Sequence, residues 1–541
     1  MGLGRSLAVA ARYFLAPALP HFGQVAVNCV SPLYSPRARR NKVRYGLTLC
    51  DPRHAVLCAF ISNSASPAAS NKSHTTGRGP RRAGLLPRAG LAHNQIVNSR
   101  ELANSVCDTL QRNAFQAFLV GGCVRDLLLQ REPADFDVAT DATPDEVLRL
   151  FPHGVDVGAQ FGVILLCQDS LKVEIATFRS DLGYSDGRHP DQVVYSKTPQ
   201  EDVRRRDFTI NGLLMLHDTG EVLDFVSGRS DLAAGIIRAI GEPSRRFAED
   251  KLRMLRAVRF AARFGYAIEP ATFAAIRQHA HEINVVSAER IREELTRLLT
   301  EGAARRAFEL LDDLGLLPQI LPEIAAMKGV PQPPEYHPEG DVWIHTLLML
   351  EALPKKASPT LAWGTLLHDV GKPPTFRSAA ETGDRIRFDN HVDVGVRMTE
   401  EICRRLRFSN DDTDQVKALV ANHMKFKDVA QMRASTLKRF VRLPQFDEHL
   451  ELHRLDCLSS HGKLDAYETV KDFLAHAPSA TVRPPRLLSG DDLRELGYKP
   501  GPEFRKILVS LEDAQLEETI QTREQALEFI RKHYPLRLVS P

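Results

Sequence analysis

Asp135 and Asp137 stand two apart in the β-like run DFDVAT, so both carboxylates point to one face and can share a pair of hard cations. Just upstream, FLVGGCVRDLLL places a strand (Phe118 to Val120) before Gly121 and Gly122, with a helix opening near Val124. Glycines at such a turn let backbone N–H groups approach a phosphate closely, and the helix start adds its positive dipole end. Arg125 can add a charged fork. Each motif alone has an ordinary explanation: a GG turn is usually only a tight turn, and an isolated DxD is a solvated strand edge. Together they supply what nucleotidyl transfer asks for, one ion to acidify an attacking hydroxyl and one to steady a triphosphate and its departing pyrophosphate. Glu174, in the strand-like KVEIATF, is a candidate third carboxylate, although one Glu on a strand is more often a surface residue.

A second set lies further along: His345 in VWIHTL, His368 and Asp369 in LLHDVGKP, His391 in DNHVDVG, His423 in ANHMKF and Asp456 in HRLDCL. One HD dipeptide is close to chance in a chain with 19 histidines. Repeated imidazoles and carboxylates in helical contexts are not, because mixed nitrogen and oxygen ligands suit a divalent metal that activates water. The competing reading is a helical domain that has lost its metal and only supports its neighbours. Lys372, beside the doublet, is a candidate phosphate contact.

The elements that must position these residues are legible in outline. From Gln116 to about Phe225, short β-rich runs alternate with helical stretches, which predicts an α+β domain. Arg245 to about Glu323 carries apolar residues at helical spacing and should be all helical. KGVPQPPEYHPEG (Lys328 to Gly340) reads as a proline-rich linker. A second helical domain then runs to about Ala477, and SATVRPPRLLSG marks a break before a final helical pair ending near Tyr534. The expected division is 1–95 extension, 96–230 head, 231–327 helical neck and body, 328–340 linker, 341–477 second helical domain and 478–541 tail.

Residues 1–95 are rich in Ser, Pro, Gly and Arg, and Asp51 is the only acid before Glu101. This tract is expected to lie outside the folded protein, as a basic disordered extension, a mis-assigned start or a transit peptide. The next methionine after Met1 is Met215. The whole chain has 541 residues, 43% hydrophobic and 26% charged, ordinary globular values that suggest three or four units. A net charge of +3 says little about an RNA partner, which needs a local basic stripe. Eight cysteines without a CxxC pair or regular spacing argue against a disulfide framework and a structural zinc site, and a reducing, cytoplasmic compartment fits. Without a long apolar run, no membrane span is expected.

The motifs GGCVRD, DFDVAT, RSDLGYSDGRHP (Arg179 to Pro190), RRRDFTING (Arg204 to Gly212), FAEDKLRMLRAVRFAARFG (Phe247 to Gly265) and SAERIREEL (Ser287 to Leu295) resemble, in order, those of class II tRNA nucleotidyltransferases and bacterial poly(A) polymerases. The resemblance implies a small mixed-sheet head followed by helical domains, with Mg²⁺ held by Asp135 and Asp137 and with CTP, ATP and tRNA as partners. It implies that Gly121, Gly122, Arg125 and Arg206 bind the nucleotide's phosphates and sugar, that Asp207 and Asn211 support the site, and that Arg256 lies at the nucleotide. Asp250 and Arg253, three apart and expected on one helical face, inherit base reading. A carboxylate accepting from an exocyclic amine beside a guanidinium donating to a ring acceptor admits cytosine and adenine and rejects guanine and uracil. Otherwise the two are an ordinary surface ion pair.

The loop carrying Tyr184, Asp186 and Arg188 is expected to help switch from cytidine to adenosine addition. Arg256, Arg259, Arg263, Arg290, Arg292, Arg297, Arg305 and Arg306 are expected to hold a phosphate backbone, and the tail to contact RNA or pack. The His/Asp set is similar to the HD phosphohydrolase superfamily, which implies a divalent metal of unspecified identity on His345, His368, Asp369 and Asp456. His391 and His423 match extra positions of two-metal members. A CCA-adding enzyme is the leading expectation. A poly(A) polymerase or an adenosine-only tRNA enzyme is the alternative, disfavoured by the lack of an Arg-rich block beyond the catalytic region. An HD-type nucleotide hydrolase whose first domain only binds nucleotide is a third reading, which the intact aspartate pair opposes.

Overall fold

The computed structural model describes residues 98–158, 162–182 and 192–536. The expectation for residues 1–95 and the loop residues Tyr184, Asp186 and Arg188 lie outside them.

Among the described residues the head forms nine strands: β1 (Ala117–Val120), β2 (Phe136–Thr140), β3 (Gly154–Gly158), β4 (Val163–Gln168), β5 (Leu171–Thr177), β6 (Arg179–Leu182), β7 (Gln192–Tyr195), β8 (Leu213–Met215) and β9 (Val222–Asp224). Seven make one mixed sheet in the order β3-β4-β5-β2-β1-β8-β9, and β6 pairs with β7 as a separate ribbon. Within the large sheet only β2 and β5 run parallel. The helix Ser99–Arg112 packs on β1, β2 and β5. Its Leu102, Val106 and Leu110 recur every four residues and are buried, the stripe an amphipathic helix needs. Asn98 caps it by accepting from the Glu101 N–H at 2.9 Å.

Helices Arg253–Phe264, Pro270–His279, Ala288–Thr300 and Ala304–Asp313 make the neck and body. The expected all-helical region is interrupted by one small parallel pairing, Ile236–Ile237 with Ala267–Ile268. Each of these strands follows a glycine at positive φ, Gly235 at +68° and Gly265 near +71°. Such turns are inexpensive only for glycine, and here they aim both chains the same way. The second helical domain likewise contains a two-residue ribbon, Phe376–Arg377 with Arg387–Phe388.

The proline-rich stretch is not a spacer, contrary to the expectation. It folds back on itself: Gln332 N–H donates to Gly340 O at 3.0 Å and Val342 N–H to Val330 O at 3.0 Å. One apolar core runs without interruption from Leu102 in the head through Leu255 and Leu295 to Trp363 and Val420. In the tail, after the short helix Ser479–Val482, the helices Gly490–Glu495, Pro502–Leu516 and Arg523–His533 surround a small core that includes Leu493, Ile507 and Ile530. Lys438 ties it back by donating to Leu516 O and Glu518, both at 2.8 Å. Among the described residues no helix is long and apolar enough to cross a membrane.

Candidate active site and metal centre

Phe136 is 2% exposed and packs in the main core, so the alternation of β2 turns Asp137 to the opposite face. Asp135 immediately precedes the strand and is exposed. The parallel register sets Asp137 directly beside Glu174 of β5. Burial first, then Glu174 and Asp135, raises the Asp137 carboxyl to about 6, with Arg206 opposing. Carboxylates crowded in this way are hard oxygen donors whose mutual repulsion a divalent cation relieves, so the set fits Mg²⁺.

Gly121 has φ +76°, and a Cβ there would lie 3.3 Å from Arg206 Nη1, so both backbone and space call for glycine. The next helix is Gly122–Leu128, opening two residues earlier than expected. Arg206 is held by Asp202, which accepts from its Nε at 3.1 Å and its Nη2 at 2.8 Å. Asp202 also pairs with Arg205. Burial would raise the Asp202 carboxyl, but these two arginines outweigh it and lower it.

The remaining expected site residues form one chain of bonds. Arg125 donates to Asn211 Oδ1 at 2.6 Å, Asn211 donates to Asp207 at 3.0 Å, and Arg256 grips the other Asp207 oxygen at 2.9 and 2.7 Å. Burial opposes ionisation of Asp207, yet Arg256 and Asn211 hold its carboxyl at about 2. Arg125 is only 4% exposed, bonded to Asp126 and stacked over Phe264 at 4.8 Å. Its fork therefore joins head to neck, whereas a direct phosphate contact was expected.

Asp250 and Arg253 are not on one helical face. The helix Pro243–Glu249 ends at Asp250, whose backbone is extended (φ −146°, ψ 106°), and a new helix begins at Arg253. The reason is local: the Asp250 side chain accepts from Leu252 N–H at 3.1 Å, a bond that competes with helix continuation. Both side chains also have other partners. Arg290 clasps Asp250 at 3.2 and 2.8 Å, and Arg253 donates to Glu249 at 2.8 Å and to the carbonyls of Arg246 and Arg205.

The arginines expected to hold RNA all have partners within the protein, although only Arg259 is buried and Arg263, Arg297 and Arg306 stay exposed. Arg259 is buried against Glu294 at 2.7 Å, and Arg305 bridges Glu309 and Glu351. Arg263 meets Glu301, Arg297 meets Glu294, and Arg292 and Arg306 donate to the carbonyls of Arg407 and Tyr266. The density of this row therefore reports internal ion pairing as much as a phosphate-binding surface.

The histidine set converges completely. Among the described residues three groups bring their ligand atoms within 4.8 Å of one another: His345, His368 and Asp456; Asp369, His391 and His423; and, on the far side of the His345 ring, His337, Glu339 and His345. The adjacent His368 and Asp369 belong to different groups. Nε2 of all four histidines is buried and turned to a carboxylate, His345 to Asp456 and His368 to Asp369 at 3.1 Å each, His391 and His423 to Asp369 at 3.9 and 3.8 Å. Their Nδ1 atoms are occupied: His368 by Thr365 O at 2.9 Å, His391 by Phe388 O at 2.9 Å, His423 by Val420 O at 2.7 Å and His345 by Glu339 at 2.7 Å. Such partners fix the tautomer and aim the Nε2 lone pair, as at metal-bound histidines. Burial holds His423 at about 4 and lowers His391, so both are neutral ligands at pH 7. Burial opposes charge on His345 as well, but Asp456 and Glu339 outweigh it and raise it to about 9. Nitrogen and carboxylate donors in two adjoining sets fit two divalent ions.

A cleft of about 740 Å³ opens on this centre, with Arg385, Arg387, Lys427 and Lys463 on its walls. Lys372 is buried, 2.6 Å from Asp369 and donating to Gln332 Oε1 at 2.6 Å. It is thus anchored inside the centre. The sequence reading missed Glu339, Gln332 and Asp202, and expected Arg290 on RNA where the structure sets it on Asp250. Glu339 left a trace, as an acid shortly before the helix that carries His345.

A mixed-sheet head with a glycine turn and paired aspartates, joined to a helical body and a His/Asp metal centre, defines a nucleotidyltransferase class with an appended HD domain. The chain matches the "Poly A polymerase head domain" over residues 117–238, the "Probable RNA and SrmB- binding site of polymerase A" over 265–328 and the "HD domain" over 341–459. It is 36% identical over 270 residues to the CCA-adding enzyme of Latilactobacillus sakei, covering 49% of this chain and 68% of that protein. To the enzyme of Levilactobacillus brevis it is 42% identical over 228 residues, 42% of this chain and 57% of that one. This chain belongs to the CCA-adding enzyme family. It spans about half the length of most of these relatives. The crystal structure of the Bacillus stearothermophilus CCA-adding enzyme in complex with CTP superposes with a TM-score of 0.60 at 25% identity, covering 80% of this chain and 97% of that one.

Proposed function

We propose that this protein adds CMP and AMP from CTP and ATP to the 3′ end of tRNA without a nucleic-acid template, in the cytoplasm, and that its HD centre hydrolyses phosphoesters. The observation that carries the first part is the register of Asp137 beside Glu174, with Asp135 close by and with Arg206, which lies against Gly121, near enough to act on Asp137. Magnesium ions on these carboxylates supply charge to the triphosphate and acidity to the attacking 3′-hydroxyl. The chain's own part is positioning. Gly121 and Gly122 admit backbone N–H groups to the phosphates, and Arg206, fixed by Asp202, adds a charge-assisted donor.

Asp250 reads the exocyclic amine, since a carboxylate clasped by Arg290 still has free lone pairs, and Arg253 donates to the ring acceptor. The loop with Tyr184, Asp186 and Arg188 serves the switch to adenosine. The relatives' names and the CTP complex of the Bacillus enzyme support this reading.

In the HD centre, two divalent ions on His345, His368 and Asp456 and on Asp369, His391 and His423 supply an activated water. The basic wall of the cleft suits 2′,3′-cyclic phosphates, 2′-nucleotides or phosphomonoesters. The test is to give the full chain and Mg²⁺ tRNAs ending before the first C, at C and at CC, each with single nucleotides, and to sequence the products. One C, a second C and one A, in that order and without GTP or UTP use, are expected. A homopolymeric A tail, or A addition only to the CC end, would replace the reading with a poly(A) polymerase or an adenosine-only enzyme.

A further inference from the structure

Three of the four metal-facing histidines take their orienting bond from nearby backbone: His368, His391 and His423 each meet the carbonyl three residues back. His368 and His423 follow the last residues of their helices, and His391 opens one, so a nearby carbonyl can turn toward the ring. His345 lies inside the helix Val342–Glu351, where carbonyls are already engaged by helical N–H groups. Its ring needs an acceptor from elsewhere, and Glu339 provides it at 2.7 Å.

We propose that Glu339 is a positioning residue of the HD metal centre, acting through His345, and that the proline-rich segment Lys328–Gly340 is folded for this purpose and not as a tether. Glu339 Oε1 also faces His337 Nδ1 at 2.9 Å, so one oxygen sits between two imidazoles. The carboxylate is fixed by a closed loop. Gly329 N–H donates to Asp341 at 2.9 Å, His337 N–H to Pro333 O at 3.0 Å and Gly340 N–H to His337 O at 3.2 Å. The same segment reaches the other ligand group, because Gln332, 2% exposed, accepts from Lys372 at 2.6 Å and Lys372 lies 2.6 Å from Asp369. A carboxylate partner makes an imidazole a stronger donor than a carbonyl partner does, and losing such a partner typically costs about 10- to 100-fold in metal affinity.

The inference rests on the reading that this cluster binds divalent ions, and the experiment separates the two. The full-length protein is stripped with a chelator and titrated calorimetrically with Mn²⁺ and Co²⁺, as wild type and as Glu339→Gln, with the Co²⁺ visible spectrum recorded in parallel. Nucleotide addition by the head and the melting temperature of the metal-free protein serve as folding controls. The variant should bind the ions about 10- to 100-fold more weakly, with an altered Co²⁺ spectrum and unchanged nucleotide addition. Glu339→Asp, which keeps the charge, should recover part of the affinity. Wild-type affinity and spectrum in Glu339→Gln would overturn the positioning role alone. Ion uptake left unaltered by Asp369→Ala would overturn the metal reading, and the inference with it. A loss of melting temperature with no selective loss of affinity would make Glu339 merely structural and also overturn the inference.

Discussion

Asp137 carries a cost that only its function explains. Buried beside Glu174 and Asp135, it retains its proton to about pH 6 in the metal-free fold, whereas in an unfolded chain it releases it near 3.9, as an ordinary Asp does. The folded state therefore binds this proton more tightly. Stability is lost as the pH rises through that window and stays lower above it. Asp137→Asn should then stabilise the protein in chelator by on the order of 2 kcal/mol at pH 8, and by little at pH 4. Urea unfolding at both values checks this, and a gain independent of pH would contradict it. The residue scale is also where sequence was most informative. The spacing of Asp135 and Asp137 pointed to a shared carboxylate site, and the HD doublet with its flanking histidines named six of the eight residues whose ligand atoms gather in the second centre, all but His337 and Glu339. Partners distant in sequence were invisible: nothing near Asp250 announces Arg290, forty residues on. Asp202, only four residues before Arg206, was within reach of sequence spacing and was passed over.

Elements place the ligands, and the contact between two of them can be broken by one methyl group. Gly371 follows the His368–Asp369 doublet, and a Cβ there would come within 2.1 Å of His391 O and 2.6 Å of Gly395 N. Both are backbone atoms of the helix His391–Arg405, so the helix itself would have to move. Gly371→Ala should therefore displace His391 and abolish binding of one of the two ions, leaving nucleotide addition intact. Metal titration reads the stoichiometry, and an unchanged count would contradict the assignment. Helical periodicity outlined these helices well, but it carried the helix through Asp250, because spacing records apolar faces and not the side-chain cap that ends one. It also passed over the proline-rich segment, since prolines signal irregular backbone without saying whether that backbone is folded.

Across the whole molecule, the helix Ala288–Thr300 serves both sites. Arg290 at one end clasps Asp250. In its middle, Thr296 Oγ1 accepts from Trp363 Nε1 at 2.9 Å, on the helix that leads into His368. With one apolar core beneath, head, neck and HD domain are packed as a unit, although their chemistries use separate residues. Separate residues mean separable activities, and that is the central claim. The most direct measurement compares full-length wild type, Asp137→Ala and Asp369→Ala in two assays: CMP and AMP addition to tRNA lacking its 3′ end, and hydrolysis of a 2′,3′-cyclic phosphate. Asp137→Ala should lose addition and keep hydrolysis, and Asp369→Ala should do the reverse. If either substitution removed both activities from a protein that still melts like wild type, or if Asp137→Ala still extended tRNA, the account would be contradicted.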